Sequence, residues 1–474
     1  MLADLEFRYS QIRSQLGLSD DVSVTAWLYE SERQKAELMG AGRTSIAKPW
    51  LRQLHVHELQ PGATVIAHEL AHVMLAPLSG SILGLPAGRF GIPRPGLMEG
   101  AAVSIERGGD RMTTHQWARA MRDVGFLPDV ATILDGLGFW GESAQRAYTA
   151  CGSFIRYLLE TRGPEKFARV YAGAGFQETY GIPPADLVQE WSAFLDAVPL
   201  SDGDMELAQL VFSRPPVFGR VCPYAGGRCV VRAVEAARHK DPRQVLQVAR
   251  QAMAMTRRDL QTGLKLTRLL FVAGDAEGGL KTADLVSQAL PPAAGDAAAA
   301  AVDLARADAY WLIGQGETAA AIYERLANGP ARRWLGSPLR LRRLVAGRAL
   351  PHEVAELMLD AYPGREGAER AREMLRKRTI GPAERSKAAA VLARRPADLA
   401  EAETELTALI PAMSAEPELQ IEAQLLRLRL LCLLERPDDA LSAAHDLLTR
   451  PDLSPSRREE ALDWQERAGW IKVP

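Results

Sequence analysis

Histidine is scarce in this chain, and the placement of two histidines restricts the structure around them. Eight of the 474 residues are histidine. Two of them, His68 and His72, lie four residues apart in the apolar segment VIAHELAHVML, and Glu69 follows the first directly. Side chains four residues apart share one face of an α-helix, so both imidazoles can bind a single metal ion while the carboxylate reaches water on that ion. The alternative is a helix with two buried, hydrogen-bonded histidines.

A second segment contains a candidate third ligand. A zinc ion that catalyses hydrolysis takes three protein ligands and keeps a fourth position open for water. The following segment, GLMEGAAVSIE, is predicted to be helical and provides Glu99. The sequence therefore predicts one Zn²⁺ per chain, bound by His68, His72 and Glu99, with Glu69 as the general base. Glu106, at the end of the same helix, either belongs to the site or is a solvated charge.

These two segments together resemble the gluzincin metallopeptidases, a group of peptidase MA-like enzymes. The shared pattern is H-E-x-x-H followed by E-G-x-A on a second helix. The resemblance implies that Glu69 is the base, that Glu99 binds zinc, and that Glu106 matches a carboxylate of the aminopeptidase-N-like pattern. The segment AYTACGSFIRYLLETRGPEKFARVYAG resembles the next helix pair of these enzymes. There Tyr148 matches an oxyanion-binding tyrosine, although its distance to Gly152 is one residue longer than in the family.

A narrower resemblance concerns a little-characterised bacterial group of peptidase-like domains that follow a block of transmembrane helices. The segments DLEFRYSQIRSQLGL, LMGAGRTSIAKPW, AHELAHV and PGLMEGAAV are similar to that group. The resemblance implies an extracytoplasmic location at a bacterial membrane, whereas a complete chain without such a block would be cytoplasmic. A disulfide between Cys222 and Cys229 would fit the first location, and a reduced pair would fit the second.

The resemblance also has a gap that bears on specificity. The G-x-M-E-N motif, which binds the free amine of an aminopeptidase substrate, is missing, so we expect an endopeptidase rather than an aminopeptidase. An edge strand near 43–58 could hold an extended peptide by main-chain hydrogen bonds. His55 and His57 share a face of that strand, where they either line the cleft or are half-exposed strand residues. The Gly/Pro-rich loop 78–96 is expected to form a wall or lid of the cleft.

The periodicity of the apolar residues predicts an α+β zincin-like catalytic domain over 1–199, a connection over 200–235, and an all-α, TPR-like domain over 236–474. The alternative for the last part is an unrelated helical bundle. Four similar stretches begin near residues 240, 274, 316 and 436 of that part. In the first part, Ser31 and Gln34 predict a capping box for a helix that ends at Gly40. The expected strands are 22–28, 43–48 and 52–58, and the expected helices include 2–16, 113–124, 143–162, 164–172 and 184–197.

Composition narrows the classes of partner. The formal net charge is −2, with 47% apolar and 24% charged residues, which gives no sign of a nucleic-acid partner or of binding to a membrane surface. No apolar run reaches the 18 residues or so of a membrane span. The sequence thus predicts a zinc-dependent peptidase with a peptide or protein substrate. The alternatives are a catalytically silent scaffold that binds protein partners through its repeats, and a zinc hydrolase that acts on another bond.

Overall fold

The computed structural model describes most of the chain and divides it into two compact units. The first unit comprises Met1–Leu200, Phe212–Phe218 and Ser454–Asp463, and the second comprises Ser201–Val211, Gly219–Leu453 and Trp464–Pro474. The described residues are 2–19, 21–42, 44–57, 62–88, 91–108, 111–134, 137–213, 223–255, 260–290, 295–346, 348, 352–360, 364–377 and 380–472.

The first unit contains a small sheet. Its described strands are β1 (Thr25–Tyr29), β2 (Ile46–Lys48) and β3 (Gln53–His57), in the spatial order β1-β3-β2. β1 pairs with β3 in parallel, and β2 pairs with β3 antiparallel. The inward side chains of β3, Leu54 and Val56, are buried in a cluster with Leu5 and Ile66. The sheet is thus held by apolar contacts with the first helix and with the helix that carries the histidines.

Helices account for most of the first unit. They are α1 (Leu2–Gln15), α2 (Glu32–Met39), α3 (Thr64–Leu75), α4 (Pro95–Ser104), α5 (Thr114–Asp123), α6 (Val130–Leu134), α7 (Leu137–Gly141), α8 (Ala144–Arg162), α9 (Pro164–Tyr171), α10 (Phe176–Tyr180) and α11 (Pro184–Leu195). Half of the capping box predicted for α2 is confirmed: Ser31 accepts a hydrogen bond from the Gln34 N–H, and Gly40 ends the helix in a left-handed conformation. The Gln34 side chain accepts from the Glu30 N–H and not from the Ser31 N–H that a capping box requires.

The prediction of an α+β, zincin-like fold for this part of the chain is wrong. The three strands contain five, three and five residues, and the described residues of the unit are otherwise mainly helical. The alternating pattern identified the strands but not their length. A sheet this small covers little of the core, and the apolar faces of the helices are buried mainly against other helices, above all α4 against α8.

The C-terminal segment of the first unit contributes a buried ion pair. Helix α26 (Pro455–Lys472) begins in this segment, and its Asp463 accepts two hydrogen bonds from the Arg8 guanidinium of α1, at 2.5 and 2.6 Å. Gln11 donates a third to the same carboxylate at 2.9 Å. The two charged side chains are only 3% and 5% exposed. Removal of either charge would leave the other buried without its partner, which is costly in a medium of low dielectric constant.

We therefore predict that Asp463→Ala destabilises the first unit strongly. Loss of one member of a buried pair typically costs about 3–5 kcal/mol of unfolding free energy. Urea denaturation of the full chain measures it. The control is Glu37→Gln, which removes the exposed pair between Arg33 and Glu37, whose side chains are 87% and 60% exposed. That change should cost less than about 1 kcal/mol. Equal stability of the two variants would contradict the prediction.

The described part of the second unit consists of helices. They are α12 (Asp202–Phe212), α13 (Pro223–Arg238), α14 (Pro242–Met255), α15 (Leu260–Val272), α16 (Ala276–Ala289), α17 (Gly295–Leu312), α18 (Gly316–Asn328), α19 (Arg332–Ala346), α20 (His352–Met358), α21 (Gly364–Arg376), α22 (Pro382–Leu392), α23 (Leu399–Leu409), α24 (Pro417–Leu433), α25 (Pro437–Leu448) and the end of α26. Many neighbours in sequence pack on each other, such as α13 on α14 and α17 on α18. No helix in the described ranges combines the length and hydropathy needed to cross a bilayer.

The four similar stretches of the second unit share one turn. At Gly274 the backbone is left-handed, its N–H donates to Phe271 O, and the Asp275 N–H donates to Leu270 O. This is the Schellman arrangement that ends many helices. The same pair of bonds and a positive φ occur at Lys240, Gly314 and Glu435. The next helix starts two residues later in every case. The turn geometry, and not the repeat spacing, is therefore what the stretches have in common.

We expect Gly274→Ala to lower the stability of the second unit. Gly274 has φ +85 and no atom within 4 Å of an added Cβ, so the cost comes from the backbone alone. The loss in free energy of unfolding should be about 1–2 kcal/mol. The matched control is Gly469→Ala, inside α26, where an added Cβ also meets nothing within 4 Å. Since alanine favours a helix over glycine by about 1 kcal/mol, that variant should be more stable than wild type in thermal unfolding.

Candidate metal centre

Two packed helices bring the predicted metal ligands together. Helix α3 carries His68 and His72 one turn apart, and α4 carries Glu99. Gly100 lets α4 approach α8, because an added Cβ would lie 2.6 Å from Ile155 Cδ1 and 2.9 Å from the carbonyl carbon of Cys151. The glycine of the E-G pair therefore has a packing role next to the carboxylate.

The three predicted ligands form a compact triangle. The Nε2 atoms of His68 and His72 are 3.2 Å apart, and each lies 3.4 Å from Glu99 Oε2. An ion with tetrahedral bonds of about 2.0–2.1 Å keeps its ligand atoms about 3.3–3.4 Å apart. Two imidazole nitrogens and one carboxylate oxygen are also a donor set typical of zinc. The residues therefore fit a zinc ion in both spacing and chemistry.

A second carboxylate orients the first histidine. The Nδ1–H of His68 donates to Glu106 Oε1 at 2.7 Å, which leaves Nε2 directed to the triangle. Such a carboxylate behind a histidine ligand fixes the ring and its tautomer. The sequence left two interpretations of Glu106, a residue of the site or a solvated charge. This contact supports the first. His72 differs, because its buried Nδ1 has no hydrogen-bond partner among the described residues.

The charges of the site favour a cation. Burial opposes the charged form of His68, but hydrogen bonds to Glu106 and Glu99 outweigh it and raise the pKa of His68 to about 10. Burial also opposes the charged form of Glu99, yet hydrogen bonds from His68 and His72 lower the pKa of Glu99 to about 2. The two carboxylates thus hold positive charge between them, and a divalent ion could replace a proton in that role.

Glu69 is held by the sheet and not by the ligands. Its Oε2 accepts a hydrogen bond of 2.7 Å from the backbone N–H of Ala47 in β2. Lys35 supports the segment that leads into β2, because its buried Nζ donates to the carbonyl oxygens of Thr44 and Gly42. Sequence reasoning missed both contacts. A lysine in the polar helix ERQKAELM gives no signal that it is buried.

Tyr148 lies on α8 beside the triangle. Its ring is stacked on the His68 ring, with centroids 6.3 Å apart and an angle of 14° between the planes. Burial, followed by the negative charge of Glu99, raises the pKa of Tyr148 above its ordinary value. The hydroxyl therefore remains protonated and able to donate a hydrogen bond. The helix places this residue at the site despite the longer spacing to Gly152.

The other predicted cleft residues have different positions. His55 is buried in the central strand, where its Nδ1 lies 2.9 Å from the Tyr29 hydroxyl and its ring stacks on Trp27 and Tyr29. His57 is half-buried. The edge strand is only Ile46–Lys48, and one of its N–H groups is used by Glu69. The proposed disulfide lies outside the described residues, because Cys222 does.

A cavity of about 270 Å³ adjoins the metal centre on the side of His68, Glu106 and Tyr148. None of its described lining residues belongs to the loop 78–96, so the expected wall or lid is not found there. The cavity could not be predicted from the sequence, because its walls come from distant segments. The remaining lining residues are Val103, Gly108, Met112, Thr113, Thr114, Trp117, Gln145, Thr149, Ser456 and Glu459.

No model of a protein family matches the chain, and no curated protein matches it. Among solved structures, the crystal structure of the TPR domain of P58(IPK) aligns with 11% sequence identity and a TM-score of 0.21, over 87% of this chain and 96% of that one. A likeness this weak supports no inference about the site.

The predicted membership of the gluzincin metallopeptidases is wrong, and so are the link to the bacterial membrane-linked group and the description as a metalloprotease. No peptidase family model and no curated peptidase matches the chain, and the described residues of the first unit are mainly helical, with three short strands. The physical reason is that H-E-x-x-H and E-G specify only the spacing of side chains on two helices. Two such helices can pack together in many helical folds.

We predict that the wild-type chain binds one zinc ion and that His72→Ala and Glu99→Ala lose it at micromolar zinc, because each change leaves two ligands. Metal analysis after dialysis against micromolar zinc measures the stoichiometry. His239→Ala is the control, since that histidine is exposed and lies in the second unit. Full zinc occupancy in both ligand variants would show that the ion is bound elsewhere.

Proposed function

We propose that the first unit is a zinc-dependent hydrolytic centre and that the helical second unit binds protein partners. The observation that carries the first proposal is the triangle of His68, His72 and Glu99, with edges of 3.2 and 3.4 Å, beside an acid that is not part of it. The proposal extends neither to the gluzincin family nor to peptide bonds, because this donor set serves the hydrolysis of several bond classes.

His68, His72 and Glu99 would hold the ion, and Glu106 would keep His68 in the tautomer that binds through Nε2. When bound, zinc supplies a Lewis acid that polarises the scissile group and makes water easier to deprotonate. Glu69 would accept the proton from the attacking water and return it to the leaving group. The Ala47 N–H holds one oxygen of that carboxylate, which leaves the other for proton transfer.

Tyr148 would donate a hydrogen bond to the oxygen on which negative charge develops. Its ring is fixed by stacking on His68 and by contact with Phe139, with centroids 5.5 Å apart. A donor that is positioned before the reaction stabilises the transition state without a reorganisation cost. The role of the adjoining cavity would be to bind part of the substrate next to this group.

A kinetic comparison tests the hydrolytic proposal. Zinc-loaded wild type is screened against a panel of ester and non-peptide amide substrates. Glu69→Gln should retain zinc and lose about 100- to 10,000-fold in turnover, because glutamine cannot accept the proton. Tyr148→Phe should lose about 100-fold in kcat with little change in KM. Tyr157→Phe, on the same helix but with its hydroxyl 3.5 Å from Glu190, should match wild type. Wild-type turnover in Glu69→Gln would refute the mechanism.

A second candidate function concerns the helical unit. Helices that pack mainly on their neighbours in sequence leave one face of each pair in solvent, and arrays of this kind commonly serve as extended binding surfaces. The observation in favour is the run of helix pairs joined by the shared left-handed turn at Lys240, Gly274, Gly314 and Glu435. This function needs no catalysis and is compatible with a silent metal centre.

Site-specific cross-linking of the full chain tests that candidate. A photoreactive amino acid replaces the exposed Glu277 or Glu317 of the second unit, with the exposed Glu37 of the first unit as the control position. We expect the same cellular protein to be cross-linked from both test positions and not from the control. Cross-linking that is equal at all three positions, or that is absent from both test positions, would contradict a binding surface on this unit.

A further inference from the structure

Four exposed apolar side chains lie on two segments of the first unit that touch each other. Trp50 and Leu51, in the 3₁₀ turn Pro49–Leu51, are 50% and 53% exposed, and Ile82 and Leu83, in the loop after α3, are 98% and 55% exposed. We call these four residues the apolar tip. Isolated exposed apolar residues are ordinary, but a group of them marks a surface that another body covers.

The two segments approach each other closely at Gly84 and Pro49. An added Cβ on Gly84 would lie 3.2 Å from Pro49 Cβ and 2.7 Å from Ala76 Cβ. Leu83 and Trp50 are the chain neighbours of Gly84 and Pro49, so both halves of the apolar tip flank this contact. The loop is also tied to itself, since Ser81 Oγ donates to Leu85 O at 2.8 Å and accepts from the Leu85 N–H at 2.9 Å.

The charged residues within the two segments that carry the apolar tip have one sign, although Glu69, just before the second segment, contacts the Ala47 N–H of the first. Neither 44–57 nor 70–98 contains Asp or Glu. At the frequency of the whole chain, 59 acids in 474 residues, about five would be expected in segments of this combined length. The first segment carries Lys48 and the exposed Arg52. The net charge of −2 hides this local excess of positive charge.

We propose that the apolar tip inserts into the interface of an anionic lipid bilayer. Ile82, at 98% exposed, makes almost no contact with its own protein, so its side chain protrudes into solvent. A fluid bilayer can adapt to such a shape. Tryptophan favours the headgroup level of a membrane, aliphatic side chains enter the region below, and lysine and arginine attract anionic headgroups. The apolar tip provides the tryptophan and the aliphatic side chains, and Lys48 and Arg52 of the same segment as Trp50 provide the positive charge.

This contact differs from a membrane span and is independent of the zinc proposal. It requires only two short segments at the surface, and it uses none of the ligands or the proposed base. It also accounts for the exposure of Ile82 and Leu83, two apolar side chains that would be buried if the loop served only to pack on the core.

Vesicle sedimentation of the full chain tests the proposal. The probes are phosphatidylcholine vesicles with and without about 30% phosphatidylglycerol, in about 0.1 M salt. We expect wild type to sediment with the anionic vesicles and remain in solution with the neutral ones. The double variant Ile82→Ser/Leu83→Ser should lower the bound fraction about tenfold, and Trp50→Ser should lower it as well. Arg52→Ala should weaken binding most at low salt.

Leu38→Ser is the matched control, because Leu38 is 71% exposed but lies on α2, whose sequence ERQKAELM is rich in charge. It should bind vesicles as wild type does. The far-ultraviolet circular dichroism of every variant checks the fold, which the exposed positions should not disturb. Wild type that stays in solution with both kinds of vesicle would overturn the proposal and indicate a protein partner for this surface. Equal binding to neutral and anionic vesicles, or an equal loss in Leu38→Ser, would also overturn it.

Discussion

The close approach of α4 and α8 is the constraint on which the metal centre depends. Glycine occurs on both sides of this contact. An added Cβ on Gly100 would lie 2.8 Å from Cys151 Cβ, and one on Gly152 would lie 2.3 Å from Val103 Cγ1. Glu99 precedes the first glycine, and Tyr148 lies one turn before the second. A wider separation of the helices would therefore move the ligand and the tyrosine away from the histidines of α3 at the same time.

The parts of the site that could be predicted are those that depend on local spacing. Two histidines four residues apart must share a helix face, whatever the rest of the fold, and the structure places their Nε2 atoms 3.2 Å apart. The cap at Ser31 has the same origin, because it needs only Gln34 three residues later. Glu99 required one further inference, that the next helix packs on α3. Short-range geometry was sufficient for the two histidines and for the cap, and Glu99 needed an assumption about tertiary packing as well.

The features that could not be predicted depend on contacts between distant residues or on the length of an element. Alternating residues identified the three strands, but their short length made the α+β class wrong. The family resemblance was wrong because the matching residues lie on only two helices, and their spacing does not specify how the rest of the chain is connected. The partnership of Arg8 with Asp463 has no local signature. The left-handed backbone conformation of Lys240 and Glu435 could not be predicted, because that conformation usually occurs at glycine.

The pairing of Arg8 with Asp463 has a consequence for the order of events during protein synthesis. These residues are separated by 455 positions in the chain. At about 5–20 residues per second, the ribosome produces the arginine roughly 20 to 90 s before its carboxylate partner. The nascent first unit must wait through that interval with an unpaired guanidinium at a position that is buried in the finished protein. The N-terminal part of the chain therefore reaches its final state only after Asp463 has been made, which follows the residues of the second unit up to Leu453.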